Sequence, residues 1–200
     1  MPDKRQRIIS AAQHELARCG GHGLTMAAVA RAAKVATGTL YLYFADKQAV
    51  LDAVQLQVMQ QTAEAICSRD DPSLSLAMRV QGYWRRLFAF FVSNPELLRC
   101  WQYYIHARGY VPEQVVAQQS AMFAPLVQLM AEAQQQQLVQ PWPPRLLALF
   151  ALDSAVSLAE KQHFGLLPPL DDATLQQLAQ ACWQGIALVA ENTQRSPSRD

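Results

Sequence analysis

The sequence predicts an all-α protein: a small three-helix head at the N-terminus and a larger helical body, about nine helices in all. Three observations predict this. Ala, Leu and Gln dominate while β-branched residues are sparse, a bias that favours helix. Apolar residues recur at spacings of three and four. Gly, Pro and capping residues then cut the chain into helix-length pieces. Of the 200 residues 51% are apolar and 16% charged, the profile of a globular chain rather than a disordered one.

Ile9, Ala12, Leu16 and Cys19 form the apolar stripe of a first helix over about 4–19, which Gly20, Gly21 and Gly23 bring to an end. Thr25 can cap a short second helix whose buried stripe is Met26, Val29, Ala30 and Ala33. After the turn Lys34-Val35-Ala36, a third short helix runs from about Thr37 to Phe44. Asp46 caps a fourth, from Lys47 into the sixties. A fifth spans about 73–92, and Pro95 opens a sixth that reaches about Arg108. The seventh is expected from Pro112 to about Gln137, bent near Pro125, which lacks an N–H to donate. Helices over about 144–163 and 172–191 follow, the last capped by Asp171 or Asp172. The polar tail 192–200 completes a division into head (1–47), body (48–191) and tail.

The net charge of +1 conceals an asymmetry. Residues 1–47 carry seven basic and three acidic side chains, and the remaining 153 carry ten and thirteen. A basic head on a mildly acidic body fits a phosphate-binding surface on a larger support. The four cysteines are scattered, with no C-x-x-C pair and no nearby His to suggest zinc, so free thiols are expected. The longest apolar run, Leu146 to Leu152, is too short to span a bilayer, and no signal-peptide core is present, so a soluble cytoplasmic protein is expected. The four His are dispersed and no nucleophile or metal spacing occurs. Neither an enzyme nor a metal or cofactor protein is expected.

Three short helices in about forty residues, the last two joined by a tight turn, suit a DNA major groove, which is about 12 Å wide and admits one helix while another braces it. The stretch Gly23-Leu24-Thr25-Met26-Ala27-Ala28-Val29-Ala30, then Ala33-Lys34-Val35-Ala36-Thr37-Gly38-Thr39-Leu40-Tyr41-Leu42-Tyr43-Phe44 and Asp46-Lys47, resembles the TetR family of bacterial transcriptional regulators. That resemblance implies a helix-turn-helix DNA-binding domain followed by a helical ligand-binding and dimerisation domain. It implies a ligand-responsive regulator, most simply a repressor, that binds a pseudo-palindromic double-stranded operator as a homodimer and is released by a small apolar or aromatic effector. The alternative is a ligand-independent architectural DNA binder, or an activator, of the same fold.

The resemblance also implies roles for residues. Thr25, Thr37, Gly38, Thr39, Tyr41, Leu42, Tyr43 and Lys47 would meet DNA, with Lys4 and Arg5 reaching the backbone or minor groove. Leu40 and Phe44, four apart, are expected to face the core. Lys34 stands where the family often has glycine, at a cost of about 1 kcal/mol in a left-handed turn. Ala36 replaces a capping Ser, and Leu42 an often polar residue, so Leu42 would read through apolar contact. An effector cavity would lie among Trp84, Phe88, Phe91, Trp101, Tyr104, His106, Met122 and Phe123, with Tyr103 and Arg108 as further polar handles. Small residues at helical spacing, Ala148, Ala151, Ala155 and Ala159 on one helix and Ala181, Gly185 and Val189 on the next, would form the dimer interface.

Overall fold

The computed structural model describes residues 3–107 and 113–188. The fold is all-α, with ten α-helices among the described residues: α1 Lys4–Gly23, α2 Met26–Ala32, α3 Thr37–Tyr43, α4 Lys47–Cys67, α5 Leu76–Ser93, α6 Pro95–Gln102, α7 Glu113–Met122, α8 Ala124–Gln135, α9 Pro144–His163 and α10 Asp172–Ile186. A π-helical turn, Tyr103–Ala107, continues α6. No helix among the described residues is long and apolar enough to cross a membrane.

The predicted punctuation maps onto the backbone. Gly20 adopts φ +67, and the kink there separates the predicted helix from one further turn ending at Gly23. Thr25, Asp46 and Asp171 accept from Ala28, Ala49 and Thr174 N–H and cap α2, α4 and α10. Lys34 sits at φ +54, donating to the Arg31 carbonyl while Val35 donates to Ala30. Those two bonds close α2 in the Schellman pattern, in which the residue past the cap is left-handed. Lys34 adopts that conformation despite its Cβ.

The expected seventh helix is two. Phe123 leaves the helical region (φ −98, ψ 9), and Pro125 falls in the first turn of α8, where no N–H is needed. The final helix ends at Ile186 rather than about 191, because Ala187 turns extended and pairs with Val139.

One core runs through the chain. Within it α5 packs along α9, and Trp84 donates from Nε1 to Ser154 Oγ at 2.8 Å. Ala148, Ala151, Ala155 and Ala159 are buried in this core. Expected at a dimer interface, they instead let helices of the same chain approach closely, because a methyl side chain adds almost no thickness to a packed helix.

The helix α3 begins at Ala36, whose extended backbone (φ −65, ψ 144) has cap geometry but no side-chain acceptor. Ala36→Ser supplies the acceptor and is expected to raise the unfolding free energy by about 1 kcal/mol. Urea unfolding measures this, and an unchanged midpoint would count against a missing cap.

Candidate nucleic-acid interface and internal cavity

The head is a short α2 and α3 held on α1. Arg7 Nη2 donates to the Ala33 carbonyl at 2.8 Å, securing the end of α2 at the turn. The Arg5 guanidinium lies 5.3 Å over the Phe44 ring, and Leu40 and Phe44 are buried. What remains of α3 faces out. Thr37 and Gly38 are exposed and Thr39 is half-buried. Tyr41 and Tyr43 are exposed, and Leu42 is 84% exposed. Fully burying a leucine is worth about 1.5–3 kcal/mol, which Leu42 forgoes within its own chain.

Gly38 is equally unexplained by the chain itself. A Cβ there would meet nothing within 4 Å, and glycine inside a helix costs about 1 kcal/mol relative to alanine. Lys47, half-buried, is the first residue of α4, at the positive end of its dipole. The candidate contacts therefore occupy the start of α2, the outer face of α3 and the start of α4. Lys4 and Arg5, exposed at the start of α1, belong to the same head.

The body holds a cavity of about 440 Å³ that opens to solvent on one side, within the size range of small-molecule pockets. Its wall is largely apolar: Met59 and Ile66 of α4, Leu87 of α5, Trp101 of α6, Ile105 of the π-helical turn, Phe123 and Val127 beside and within α8, and Leu149 and Leu152 of α9. Polar groups are few, among them Thr62, Gln119, Ser120, Arg145 and Asp153. Of the residues expected to line it, Trp101 and Phe123 do.

The others are placed elsewhere. Trp84, Phe88 and Phe91 are packed core, where Trp84 stacks on Phe88 at 5.8 Å and Phe91 meets Trp101 edge-on at 5.4 Å. Tyr104 is buried, and its hydroxyl donates to the Leu51 carbonyl at 2.9 Å. Met122 is half-buried and off the wall. The His106 side chain, Arg108 and Val189 lie outside the described residues. Sequence reasoning missed the contribution of α4; its one signal was a helix apolar on more than one side.

The π-helical turn touches both regions. Ile105 lines the cavity, while the ring of the neighbouring Tyr103 sits against Gly21 of α1, so closely that a methyl group there would overlap it. Ala181 and Gly185 are exposed on α10, and a Cβ at Gly185 would stand 3.2 Å from the Phe150 ring. All four cysteines are free. Burial pushes the Cys100 thiol up to about 12 and raises that of Cys67, which makes both poor nucleophiles.

Residues 8–54 match the family model described as bacterial regulatory proteins, tetR family, and residues 76–187 match the one described as tetracyclin repressor-like, C-terminal domain. Among curated proteins, the chain is 29% identical over 96 residues to an uncharacterized HTH-type transcriptional regulator of Haemophilus influenzae, spanning 48% of this chain and 51% of that one. It is 22% identical over 180 residues to the uncharacterized HTH-type regulator YhgD of Bacillus subtilis, covering 88% and 92% of the two chains. A solved structure from Vibrio parahaemolyticus, assigned to the TetR family of transcriptional regulators, superposes with a TM-score of 0.80 at 27% identity, over 94% of this chain and 100% of that one.

Two outcomes follow from this geometry. Gly21→Ala is expected to cost about 1–3 kcal/mol with Tyr103 present and to be neutral or stabilising beside Tyr103→Ala. Equal effects in both backgrounds, read by urea unfolding, would deny the contact. Iodoacetamide at pH 8 is expected to leave Cys100 intact in the folded protein and to modify it in denaturant; labelling before unfolding would contradict its burial.

Proposed function

The chain belongs to the TetR family of bacterial regulatory proteins, and we propose from that premise that it is a cytoplasmic repressor that binds a pseudo-palindromic operator as a homodimer. Its effector is a small molecule with an apolar or aromatic body, bound in the 440 Å³ cavity. The observation that carries the DNA reading is the outer face of α3: an exposed leucine, two exposed tyrosines and a glycine that nothing in the chain requires. A base pair supplies what those residues lack. Leu42 and Tyr41 meet thymine methyls or base edges. Gly38 lets the backbone come close, and Thr37 and Thr39 offer hydroxyls. Thr25, Tyr43 and Lys47 hold phosphates, which fix register without reading sequence.

Two such helices require two copies of the chain. The outward face of α9 and α10, with Leu146 and Phe150 exposed beside Ala181 and Gly185, is the surface we assign to the partner. An apolar patch on a two-helix face suits an isologous C2 contact.

The cavity favours an effector-responsive regulator over an architectural binder. Met59, Thr62 and Ile66 of α4 stand on its wall, and α4 begins at Lys47 in the reader. Filling the cavity shifts α4 and the π-helical turn, and with them the spacing of the two readers. Coupling of this kind is reciprocal and of order 1–3 kcal/mol.

Selection of bound sequences from random duplex DNA tests the operator claim: enrichment of an inverted repeat is expected, and unselective, purely salt-dependent binding would refute it. Gly38→Ala sharpens the test. It is expected to stabilise the fold by about 0.5–1 kcal/mol yet to weaken binding to the selected site by about tenfold. Undiminished affinity would remove Gly38 from the interface.

A further inference from the structure

We propose that the cavity takes a monocarboxylate carried on an apolar body, its head group held by Gln119, Ser120 and Arg145. This rests on the effector reading above and names the ligand chemistry.

The polar groups of the wall are not equivalent. Gln119 Nε2, on α7, is buried and has no hydrogen-bond partner. A dry amide N–H without an acceptor is rare in a folded protein, and Gln119 is a residue of the cavity wall, so a rotation of its side chain would turn that N–H to a ligand oxygen. Ser120 is next in the chain. Its hydroxyl donates to the Val116 carbonyl at 2.9 Å and accepts from Arg145 Nη1 at 3.3 Å. That single bond occupies one donor of a guanidinium that has five, and Arg145 has no carboxylate partner among the salt bridges of the described residues. Arg145 also lies in the first turn of α9, where the helix dipole adds positive potential. One end of the cavity thus offers, at its solvent-exposed mouth, the guanidinium of Arg145 beside an amide N–H with no partner.

Of the remaining polar groups, Gln128 is an exposed neutral amide on α8 that brings no charge, and the other two do not compete for that role. Thr62 commits its hydroxyl proton to the Val58 carbonyl at 2.8 Å. Asp153 is exposed, and eight residues along α9 from Arg145 set the two about 12 Å apart on the helix axis. That exceeds the Debye length of about 8 Å at physiological salt, so Asp153 does not cancel Arg145 for a head group bound beside it. One guanidinium and one amide donor match a single planar carboxylate. They are too few for a dianionic phosphate. Beyond the head, Phe123, Leu126 and Leu152 offer only apolar surface to the body of the ligand.

Isothermal titration of the full chain with octanoate, methyl octanoate and octyltrimethylammonium, each below its micellar concentration, tests the assignment. Octanoate is expected to bind about tenfold or more tightly than its ester. Arg145→Gln is expected to abolish that preference while leaving ester affinity in place, and Arg145→Lys to keep part of it. Gln119→Leu is expected to weaken octanoate more than ester, and Asp153→Asn to change octanoate affinity less than about twofold.

Three results would overturn the proposal: equal binding of acid and ester; tighter binding of the ammonium probe, lost in Asp153→Asn; or no binding of any probe. Its failure is separable from that of the regulator reading. Loss of operator selection with octanoate preference intact refutes the regulator alone. Octanoate binding that leaves operator affinity unchanged keeps the cavity chemistry and refutes the effector role.

Discussion

The double burial of α4 is the constraint on which the rest of the molecule depends. Its first half packs on α1 of the head and enters the core through Val50, Leu51 and Val54, and its second half carries Met59, Thr62 and Ile66 to the cavity wall. A helix with apolar residues on one stripe could serve one of these layers only. The body also holds α4 by its backbone at both ends. Tyr104 donates to the Leu51 carbonyl at 2.9 Å, and Arg86 Nε donates to the Ile66 carbonyl at 2.8 Å. Neither bond tolerates a large slide of α4 past its neighbours, so a displacement at one end is carried along the helix to the other.

Small residues set how closely the other helices meet. Ala151, Ala155 and Ala159 are fully buried on α9, and the thin face they make lets the bulky face of α5, with Trp84, Phe88 and Phe91, pack in the same core. Gly21 does the same for the Tyr103 ring at the junction of head and body. Gly38 obeys a different rule, because its missing side chain makes room for nothing within the chain. Glycines that look alike in the sequence therefore divide into those that serve packing and one that leaves a surface open.

That division explains what could be read in advance. Caps at Thr25, Asp46 and Asp171, the left-handed Lys34 and the bare start of α3 at Ala36 are local features, fixed by a residue and its neighbours within four positions. The span of α9, residues 144–163, was legible for the same reason, with Pro at its start. The cavity was not. Periodicity identifies which side chains turn inward but not whether the space they face is filled. Trp84 and Trp101 have equal claims in sequence, yet one hydrogen-bonds Ser154 in a packed core and the other faces open volume. The alanine stripe of α9 misled likewise, since small residues permit close approach to a helix of the same chain as readily as to one of a partner.

The π-helical turn shows how little separation lies between the two regions. Within five residues, Trp101 and Ile105 line the cavity, Tyr103 rests on Gly21 of α1, and Tyr104 reaches the backbone of α4. Trp101 belongs to the last turn of α6 and Ile105 to the π-helical turn, so the two cavity residues straddle the change of helix type. Wider π turns are uncommon and concentrate at functional sites. A molecule bound against Trp101 and Ile105 would press on the backbone that carries Tyr103 and Tyr104, and those two side chains end on α1 and α4. The Tyr103 ring on Gly21 joins that turn directly to the head, and Tyr104 joins it to the α4 backbone four residues past the start of that helix, the two contacts through which the proposed coupling would pass.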